Sequence, residues 1–284
     1  MPTPIPMPTN KKKIEIEYED LNRIHNNSHE DLISKKLCRV GNFPNNIDKN
    51  RYCNLFALDS TRVELGAQLK AYINANHVKL KSVPSQSFIV SQGPMHPSYH
   101  GKKNTITDFY QMIIENSVNT VVNMGGNPSK GYTGFANYFP TEDDQTFISD
   151  HFSIAIVGKT QTTEFGNKIR ILSVSNADVE IARFAHFSCV SWPNYGVPED
   201  TEAVRELIRL CQKQPNSTTL VHCSGGVGRS GTFLAALAGI TQAADFCSLK
   251  SVVNEIRQQR HPMAVEGFHQ YSFAYACVNE ENGK

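Results

Sequence analysis

The stretch LVHCSGGVGRSGTF, residues 220–233, decides how the centre of this 284-residue chain folds. Its first residues are apolar and predict a buried strand, whereas Gly225, Gly226 and Gly228 predict a tight turn before a helix. Such a turn points successive backbone N–H groups into one concavity, and the N-terminus of the helix adds partial positive charge. The stretch therefore predicts a binding site for an anion.

Two kinds of anion site fit this turn. The segment GVGRSG (226–231) matches the G-x-G-x-x-G pattern of dinucleotide-binding loops, while the lack of Lys-Ser/Thr after Gly231 excludes a Walker A loop. A dinucleotide site also needs an acidic residue about 20 positions further on, at the end of a second strand. Asp245 lies near that spacing, but the residues between are predicted to be helical. The side chains around the turn favour the other kind, a phosphoryl-transfer site.

Cys223 and Arg229 lie six residues apart around the glycine turn. The positive field of an anion-binding turn lowers the pKa of a thiol, so that a nucleophilic thiolate exists at neutral pH. The Arg229 guanidinium can bind two phosphate oxygens and stabilise their charge in the transition state. Ser230 is placed to donate a hydrogen bond to the sulfur, and His222 to orient the turn from behind. An inert buried thiol is the alternative, but the complete H-C-x-x-x-x-x-R-S pattern favours the nucleophile.

This pattern resembles the signature loop of the protein-tyrosine phosphatases, and the resemblance extends from about Asn42 to Cys277. The other matching segments are KNRY (49–52), DSTRVEL (59–65), YINANHV (72–78), FIVSQGP (88–94), DFYQMI (108–113), WPNYGVPE (192–199) and HQYSF (269–273). The resemblance implies one α/β domain with a highly twisted mixed β-sheet flanked by helices on both faces. Because dual-specificity phosphatases lack the KNRY and YINAN segments, it indicates the tyrosine-specific branch.

The family likeness also implies how the site would work. Cys223 attacks phosphotyrosine and forms a cysteinyl-phosphate intermediate, while Tyr52 stacks on the substrate ring. Asn54 replaces a family aspartate that grips the peptide backbone. Gln270 belongs to the glutamine loop, whose first position aligns with Glu266 and positions the hydrolytic water. The signature loop would hold phosphate or another oxyanion through Ser224, Gly225, Gly226, Val227 and Gly228.

Two side chains depart from the family pattern for proton transfer. The family's W-P-D aspartate, which protonates the leaving tyrosine, is Asn194 here, and a carboxamide cannot release a proton at any accessible pH. Glu266 replaces a glutamine, in an alignment that needs one extra residue between Arg260 and Val265. General acid catalysis is worth roughly 10²–10⁴-fold, so impaired turnover is expected.

Several interpretations of this departure remain open. In the first interpretation the chain is a phosphatase, which is either slow or uses Glu266 or another carboxylate for proton transfer. In the second it is a pseudophosphatase that binds phosphotyrosine without hydrolysing it. A substrate-trapping form, with Asn194 introduced by design, is a third interpretation. Tyrosine-phosphorylated proteins or peptides are the partners in each case. Neither a metal nor an organic cofactor is expected, since protein side chains supply the nucleophile and the electrostatics.

Composition narrows the remaining classes of function. With 28 Lys and Arg against 27 Asp and Glu, the net charge of +1 argues against a dedicated nucleic-acid binder. Seven cysteines without a C-x-x-C pair indicate neither a disulfide framework nor a zinc site. No apolar stretch approaches the length of a membrane span or signal peptide, so a cytoplasmic protein is expected. Residues 1–13 are predicted to be a disordered tail, and residues 14–284 the phosphatase catalytic domain.

Hydrophobic periodicity predicts the other elements of the domain. A polar helical pattern covers residues 15–37, and turn-forming residues at 41–54 predict a long surface loop. Strands are predicted at 72–78, 87–92, 118–124, 151–157, 168–174, 179–190 and 218–222. Helices are predicted around 106–114, 204–211, 233–240, 249–256 and 267–280.

Overall fold

The computed structural model describes residues 11–25, 29–66, 71–96, 101–126, 134–190, 192–193, 196–214, 216–242, 249–281 and 283. The helices of these residues are α1 (Lys11–Ile24), α2 (His29–Ser34), α3 (Pro44–Ile47), α4 (Ile106–Glu115), α5 (Glu202–Gln212), α6 (Gly228–Thr241), α7 (Leu249–Gln259) and α8 (Phe268–Glu281). Their strands are β1 (Arg62–Leu65), β2 (Ala71–Val78), β3 (Ser87–Ser91), β4 (Val118–Asn123), β5 (Thr146–Ser149), β6 (Phe152–Ile156), β7 (Gln161–Thr162), β8 (Lys168–Asn176), β9 (Val179–Ser188) and β10 (Thr218–His222).

These strands form one mixed sheet in the order β1-β2-β3-β10-β4-β9-β8-β6-β5, with β7 paired to β8. The central strands β3, β10, β4 and β9 run parallel to their neighbours in that group, whereas the outer pairs are antiparallel. Parallel strands are covered on both faces, and four of the five residues of β10 are buried. This arrangement confirms the predicted fold, a twisted mixed sheet with helices on both of its faces.

The central strand β10 contributes to a separate hydrophobic core on each face of the sheet. Val221 packs into the core formed with α5 to α8, which includes Phe233 and Val253. Its neighbour Leu220 points to the opposite core, where Phe109 of α4 is buried. Since both ends of the following loop join packed elements, β10 and α6, the turn between them has a fixed position.

Most predicted elements are present, and three corrections apply. The prediction of a surface loop over 41–54 is wrong, because this segment contains α3 and the fully enclosed side chains of Asn50 and Arg51. Periodicity missed β1, β5 and β7, which have only four, four and two residues. Helix α1 begins at Lys11, so part of the predicted tail is helical; residues 1–10 lie outside the described residues.

None of the helices in the described part of the chain combines the length and the apolar composition needed to cross a membrane.

Candidate active site

The signature loop connects the end of β10 at His222 to the start of α6 at Gly228. Its sharpest bend is at Gly226, which has a φ of +67° in the left-handed region. A Cβ at this position would lie 2.3 Å from the carbonyl oxygen of Ser91, so the loop needs glycine for space as well. The bend turns the Gly226 N–H toward the sulfur of Cys223, at 3.2 Å.

The Cys223 thiol is buried, with 3% of its surface exposed. Burial alone would raise its pKa, but the charge of Arg229 and the backbone N–H groups of Ser230 and Val227 outweigh that effect, whereas the Ser230 hydroxyl has no hydrogen-bond partner among the described residues. The net result is a pKa below the ordinary value of a cysteine. By contrast, burial without such partners raises the pKa of Cys211 on α5 to about 12. The loop therefore favours a thiolate at Cys223 specifically.

Arg229 occupies the first turn of α6 and is buried beside the loop. Its Nη2 donates a hydrogen bond to the Ser224 hydroxyl at 2.9 Å. Its Nη1 is buried without a partner among the described residues. A buried, unsatisfied guanidinium nitrogen is costly, and an oxyanion in the loop would satisfy it.

The loop is held from behind by Arg260, which follows α7. Arg260 donates to the carbonyl oxygens of Gly225 (3.1 Å) and Gly226 (2.9 Å) and to the Asn76 side chain at 2.7 Å. Burial lowers the pKa of this guanidinium to about 10, which leaves it charged at neutral pH. Because the carbonyls are bound on this side, the loop N–H groups face the other way, toward the cleft. No sequence pattern identifies Arg260 as a support of the loop, since its contacts reach 34 or more positions along the chain.

His222 lies beneath the loop in a chain of three buried rings. Its Nδ1 is 3.3 Å from the carbonyl oxygen of Cys223, and the Tyr138 hydroxyl lies 2.7 Å from both His222 Nε2 and His186 Nε2. Burial lowers the pKa of His222 to about 3 and holds the pKa of His186 well below its usual range. A neutral His222 that donates from Nδ1 must accept at Nε2. Tyr138 therefore donates to His222 and accepts from His186, which agrees with the predicted orienting position of His222 behind the turn.

The loop opens into a cleft of about 230 Å³. Most of the predicted site residues line it: Tyr52, Asn54, Cys223, Ser224, Gly225, Val227, Gly228, Arg229, Glu266 and Gln270. Leu55 and Met263 also line the cleft, and neither belongs to a pattern that would have identified it from the sequence. Gly226 and Ser230 belong to the loop and to the first turn of α6, behind this lining.

Tyr52 forms one wall of the cleft. A Cβ at Gly225 would lie 3.2 Å from Cε2 of Tyr52, so the tyrosine ring packs directly against the loop. The segment that carries it is fixed by Asn50, whose Oδ1 accepts hydrogen bonds from the Tyr72 hydroxyl (2.5 Å) and from Asn74 Nδ2 (2.8 Å). The KNRY and YINANHV segments are thus joined through one buried amide.

Glu266 and Gln270 lie at the other side of the loop. A Cβ at Gly228 would lie 2.9 Å from Gln270 Oε1 and 3.2 Å from Glu266 Oε2, so both side chains approach the start of α6. The Glu266 N–H donates to Gln270 Oε1 at 3.0 Å, and Thr232 Oγ1 donates to the same oxygen at 3.2 Å. A carboxylate and a carboxamide therefore lie side by side at the anion loop.

Asn194 lies outside the described residues, so its predicted place at the cleft stays a prediction. Trp192, two positions before Asn194, is 3% exposed and donates from Nε1 to the carbonyl oxygen of Gly196 at 2.9 Å. The Trp192 ring packs against Phe273 of α8 with centroids 5.1 Å apart. One end of the W-P-N segment is therefore anchored to the core.

Comparison with known proteins gives a consistent result. The family model of the protein-tyrosine phosphatases matches residues 46–280. Curated relatives include tyrosine-protein phosphatase non-receptor type 20 of Mus musculus, 30% identical over 84% of this chain and 55% of the relative. Protein-tyrosine-phosphatase PTP1 of Arabidopsis thaliana is 32% identical over 83% of this chain and 71% of the relative. The chain thus spans just over half of the mouse relative's length.

A solved structure with the same fold is the catalytic domain of human protein tyrosine phosphatase non-receptor type 18. It superposes with a TM-score of 0.80 over 95% of this chain and 96% of that one, at 24% sequence identity. The family model covers residues 46–280, which is most of the chain. The chain therefore belongs to the protein-tyrosine phosphatase family.

Proposed function

We propose that this chain hydrolyses phosphotyrosine in proteins or peptides through a cysteinyl-phosphate at Cys223. The observation that carries the proposal is the pairing of a thiol of lowered pKa with the unpartnered Nη1 of Arg229 in one cleft. The guanidinium and the loop N–H groups bind the phosphate oxygens, and the thiolate attacks phosphorus. The P–O bond to the tyrosine breaks as the S–P bond forms. Tyr52 stacks on the substrate ring and Asn54 contacts the peptide backbone.

The first step lacks the usual proton donor. With a carboxamide at position 194, the tyrosine leaves as a phenolate, whose conjugate acid has a pKa of about 10. We infer that this step limits turnover on phosphotyrosine. In the second step water attacks the cysteinyl-phosphate, its proton passes to the Glu266 carboxylate, and the thiolate of Cys223 leaves. Gln270 holds the water, and Ser230 stabilises the departing sulfur.

We propose that the chain acts in a reducing compartment, the cytosol, because a thiolate nucleophile must stay reduced to act. Tyrosine-phosphorylated proteins or peptides are its partners. Its site needs neither a metal nor an organic cofactor, since Cys223, Arg229 and the loop amides supply the nucleophile and the charge stabilisation.

The test is the initial rate of phosphate release from a phosphotyrosine peptide, normalised to the amount of active-site thiol. We expect slow but measurable release that stops when Cys223 is alkylated. A phosphoserine peptide of the same sequence is the matched control and should not be hydrolysed, because its shorter side chain cannot bring the phosphate to the bottom of the cleft. Release from neither peptide would overturn the proposed function.

Asn194 supports a second candidate, a phosphotyrosine-binding pseudophosphatase or a substrate-trapping form. It predicts that the phosphotyrosine peptide binds at the cleft without phosphate release. Binding and release measured in the same sample separate the two candidates. If a bound peptide is recovered intact after a time that allows many turnovers of the proposed enzyme, the binding function is correct.

A further inference from the structure

Helix α1 lies against the segment of residues 261–267 that carries Glu266 to the cleft. Tyr18 of α1 packs between Phe268 and Tyr271 of α8, with ring centroids 6.2 and 5.5 Å apart. Its hydroxyl accepts a hydrogen bond from the Gly267 N–H at 2.7 Å. A residue of the N-terminal helix therefore binds the backbone directly next to Glu266, although 249 positions separate the two partners.

A second contact from α1 reaches the same segment through Arg257 of α7. Asn22 Oδ1 accepts a hydrogen bond from Arg257 Nη1 at 3.1 Å, and Arg257 Nε donates to the Ala264 carbonyl at 2.9 Å. The guanidinium also lies 5.6 Å from the centroid of the Tyr18 ring. Because Arg257 is only 2% exposed, these contacts are shielded from water and fix the segment from the side opposite the cleft.

The segment needs such support because its backbone is strained. Val265 has a φ of +61°, a left-handed conformation that a β-branched residue rarely adopts. Such conformations persist only where the surrounding contacts leave no alternative. Toward the cleft, the Val265 N–H donates to the Val227 carbonyl of the signature loop at a long 3.4 Å. Gln270 of α8 accepts from the Glu266 N–H at 3.0 Å, and Arg257 of α7 donates to the Ala264 carbonyl. The Tyr18 hydroxyl holds the bend at the residue after Glu266, Gly267.

We propose that Tyr18 is a positioning residue, which holds Glu266 against the signature loop and thereby sets the rate of cysteinyl-phosphate hydrolysis. The inference rests on the proposed function of Glu266 as acceptor of the water proton. Without the Tyr18 hydroxyl, Gly267 loses its acceptor and the strained bend at Val265 can relax. The carboxylate beside Gly228 then moves away from the attacking water.

The same change leaves the first half of the reaction intact. Cys223 and Arg229 depend on contacts that do not involve α1: Arg260 binds the loop carbonyls, and Gly93 N–H donates to the Ser224 carbonyl at 3.0 Å. Formation of the S–P bond should therefore proceed at its usual rate. The selective loss of the second step distinguishes positioning from a general loss of stability.

The experiment compares Tyr18→Phe with Tyr275→Phe. Tyr275 donates from its hydroxyl to Glu17 of α1 at 2.5 Å, so this control removes one hydrogen bond between α1 and α8 without touching the Glu266 segment. After rapid mixing with an activated aryl phosphate, release of the aryl alcohol reports S–P bond formation and release of phosphate reports hydrolysis. Hydrogen–deuterium exchange over residues 263–268 is measured on the same proteins.

For Tyr18→Phe we expect phosphate release to fall about three- to tenfold, the effect of one hydrogen bond, with alcohol release in the first turnover unchanged. Exchange over residues 263–268 should rise, and Tyr275→Phe should match the unsubstituted protein in all three measurements. Equal effects of both variants, or a first-turnover loss as large as the phosphate loss, would overturn the inference. If the unsubstituted protein releases no alcohol, the proposed function is wrong. In that case the exchange measurement still tests the contact: identical exchange over residues 263–268 in the two variants would show that the Tyr18 hydroxyl does not hold the Glu266 segment.

Discussion

The two sides of the cleft differ in how tightly their chemistry is fixed by the fold. On the phosphate-binding side, Cys223 and Arg229 lie in a loop whose carbonyls are bound by Arg260 and whose base rests on the buried His222. On the other side, which carries the proposed proton transfer, the chemistry depends on single side chains: Glu266 lines the cleft there, and the family likeness predicts Asn194 beside it. We therefore expect the fold to preserve binding and nucleophilic attack, whereas substitution of single side chains can alter proton transfer.

The largest expected effect tests the phosphate-binding side. Cys223→Ser should reduce phosphate release to background, a loss of at least about 10⁴-fold, because the hydroxyl is a far weaker nucleophile. Phosphotyrosine peptide binding should persist, since Arg229 and the loop N–H groups are unchanged. Phosphate release and peptide affinity measured on one preparation check both statements. Cys53→Ser, at an exposed thiol next to Tyr52, is the matched control and should leave both values unchanged; a Cys223→Ser protein that keeps its rate would refute the nucleophile.

The phosphate-binding side is also the part that the sequence predicts best. Residues 222–230 are contiguous, so glycine placement, thiol and arginine can be interpreted together without knowledge of the fold. The supports of this loop are not contiguous: Arg260 and Tyr138 reach it from 34 and 84 positions away in their respective contacts. No periodicity connects such pairs, because their proximity results from the packing of the whole sheet.

Short outer elements and cleft walls were harder to predict for a different reason. Strands β1, β5 and β7 are too short for alternation to be recognised. The turn-forming residues around Asn50 favour a loop locally, yet hydrogen bonds to Tyr72 and Asn74 bury that amide. Met263 and Leu55 line the cleft only because their loops turn toward it. In each case tertiary contacts override the local preference.

The second effect tests the proton-transfer side at Asn194. Restoring a carboxyl group by Asn194→Asp should accelerate phosphotyrosine hydrolysis by roughly 10²–10⁴-fold, the contribution of a general acid. An activated aryl phosphate, whose alcohol leaves readily as an anion, should gain distinctly less. Steady-state rates on the two substrates check this. Equal acceleration of both would mean that the substitution acts on binding or on the loop rather than on proton donation.

Glu266 offers a smaller test of the same side. With an activated aryl phosphate, whose alcohol leaves readily, Glu266→Gln should lower phosphate release by roughly ten- to hundredfold, at the low end of general acid–base effects. The carboxamide keeps the size of the side chain and its position beside Gly228, so the change reports on proton transfer. On phosphotyrosine with Asn194 present, where phenolate departure limits turnover, Glu266→Gln should change the rate little if Glu266 acts only in hydrolysis, and the loss should grow in the Asn194→Asp background. A large loss with Asn194 present would instead identify Glu266 as the substitute proton donor to the leaving group.

The smallest effect concerns the buried rings that support the phosphate-binding side. His222 and His186 are neutral in the folded protein, because burial lowers their pKa values, whereas both ionise at about pH 6.5 in the unfolded chain. The unfolded state therefore binds more protons below that pH, and stability falls as the pH drops from about 6.5 toward the folded pKa of His222, about 3.

Between pH 7 and pH 5 this linkage predicts a loss of about 2 kcal/mol in the free energy of unfolding for His222, and His186 adds a loss in the same direction. Urea denaturation at the two pH values measures the sum. His186→Gln retains an amide N–H that can donate to Tyr138 but removes the titrating ring, so the protein should lose part of this pH dependence while keeping the first-turnover rate. If His186→Gln shows the full loss, the acid sensitivity arises elsewhere. The neutral ring chain would then not be what makes the phosphate-binding side sensitive to acid.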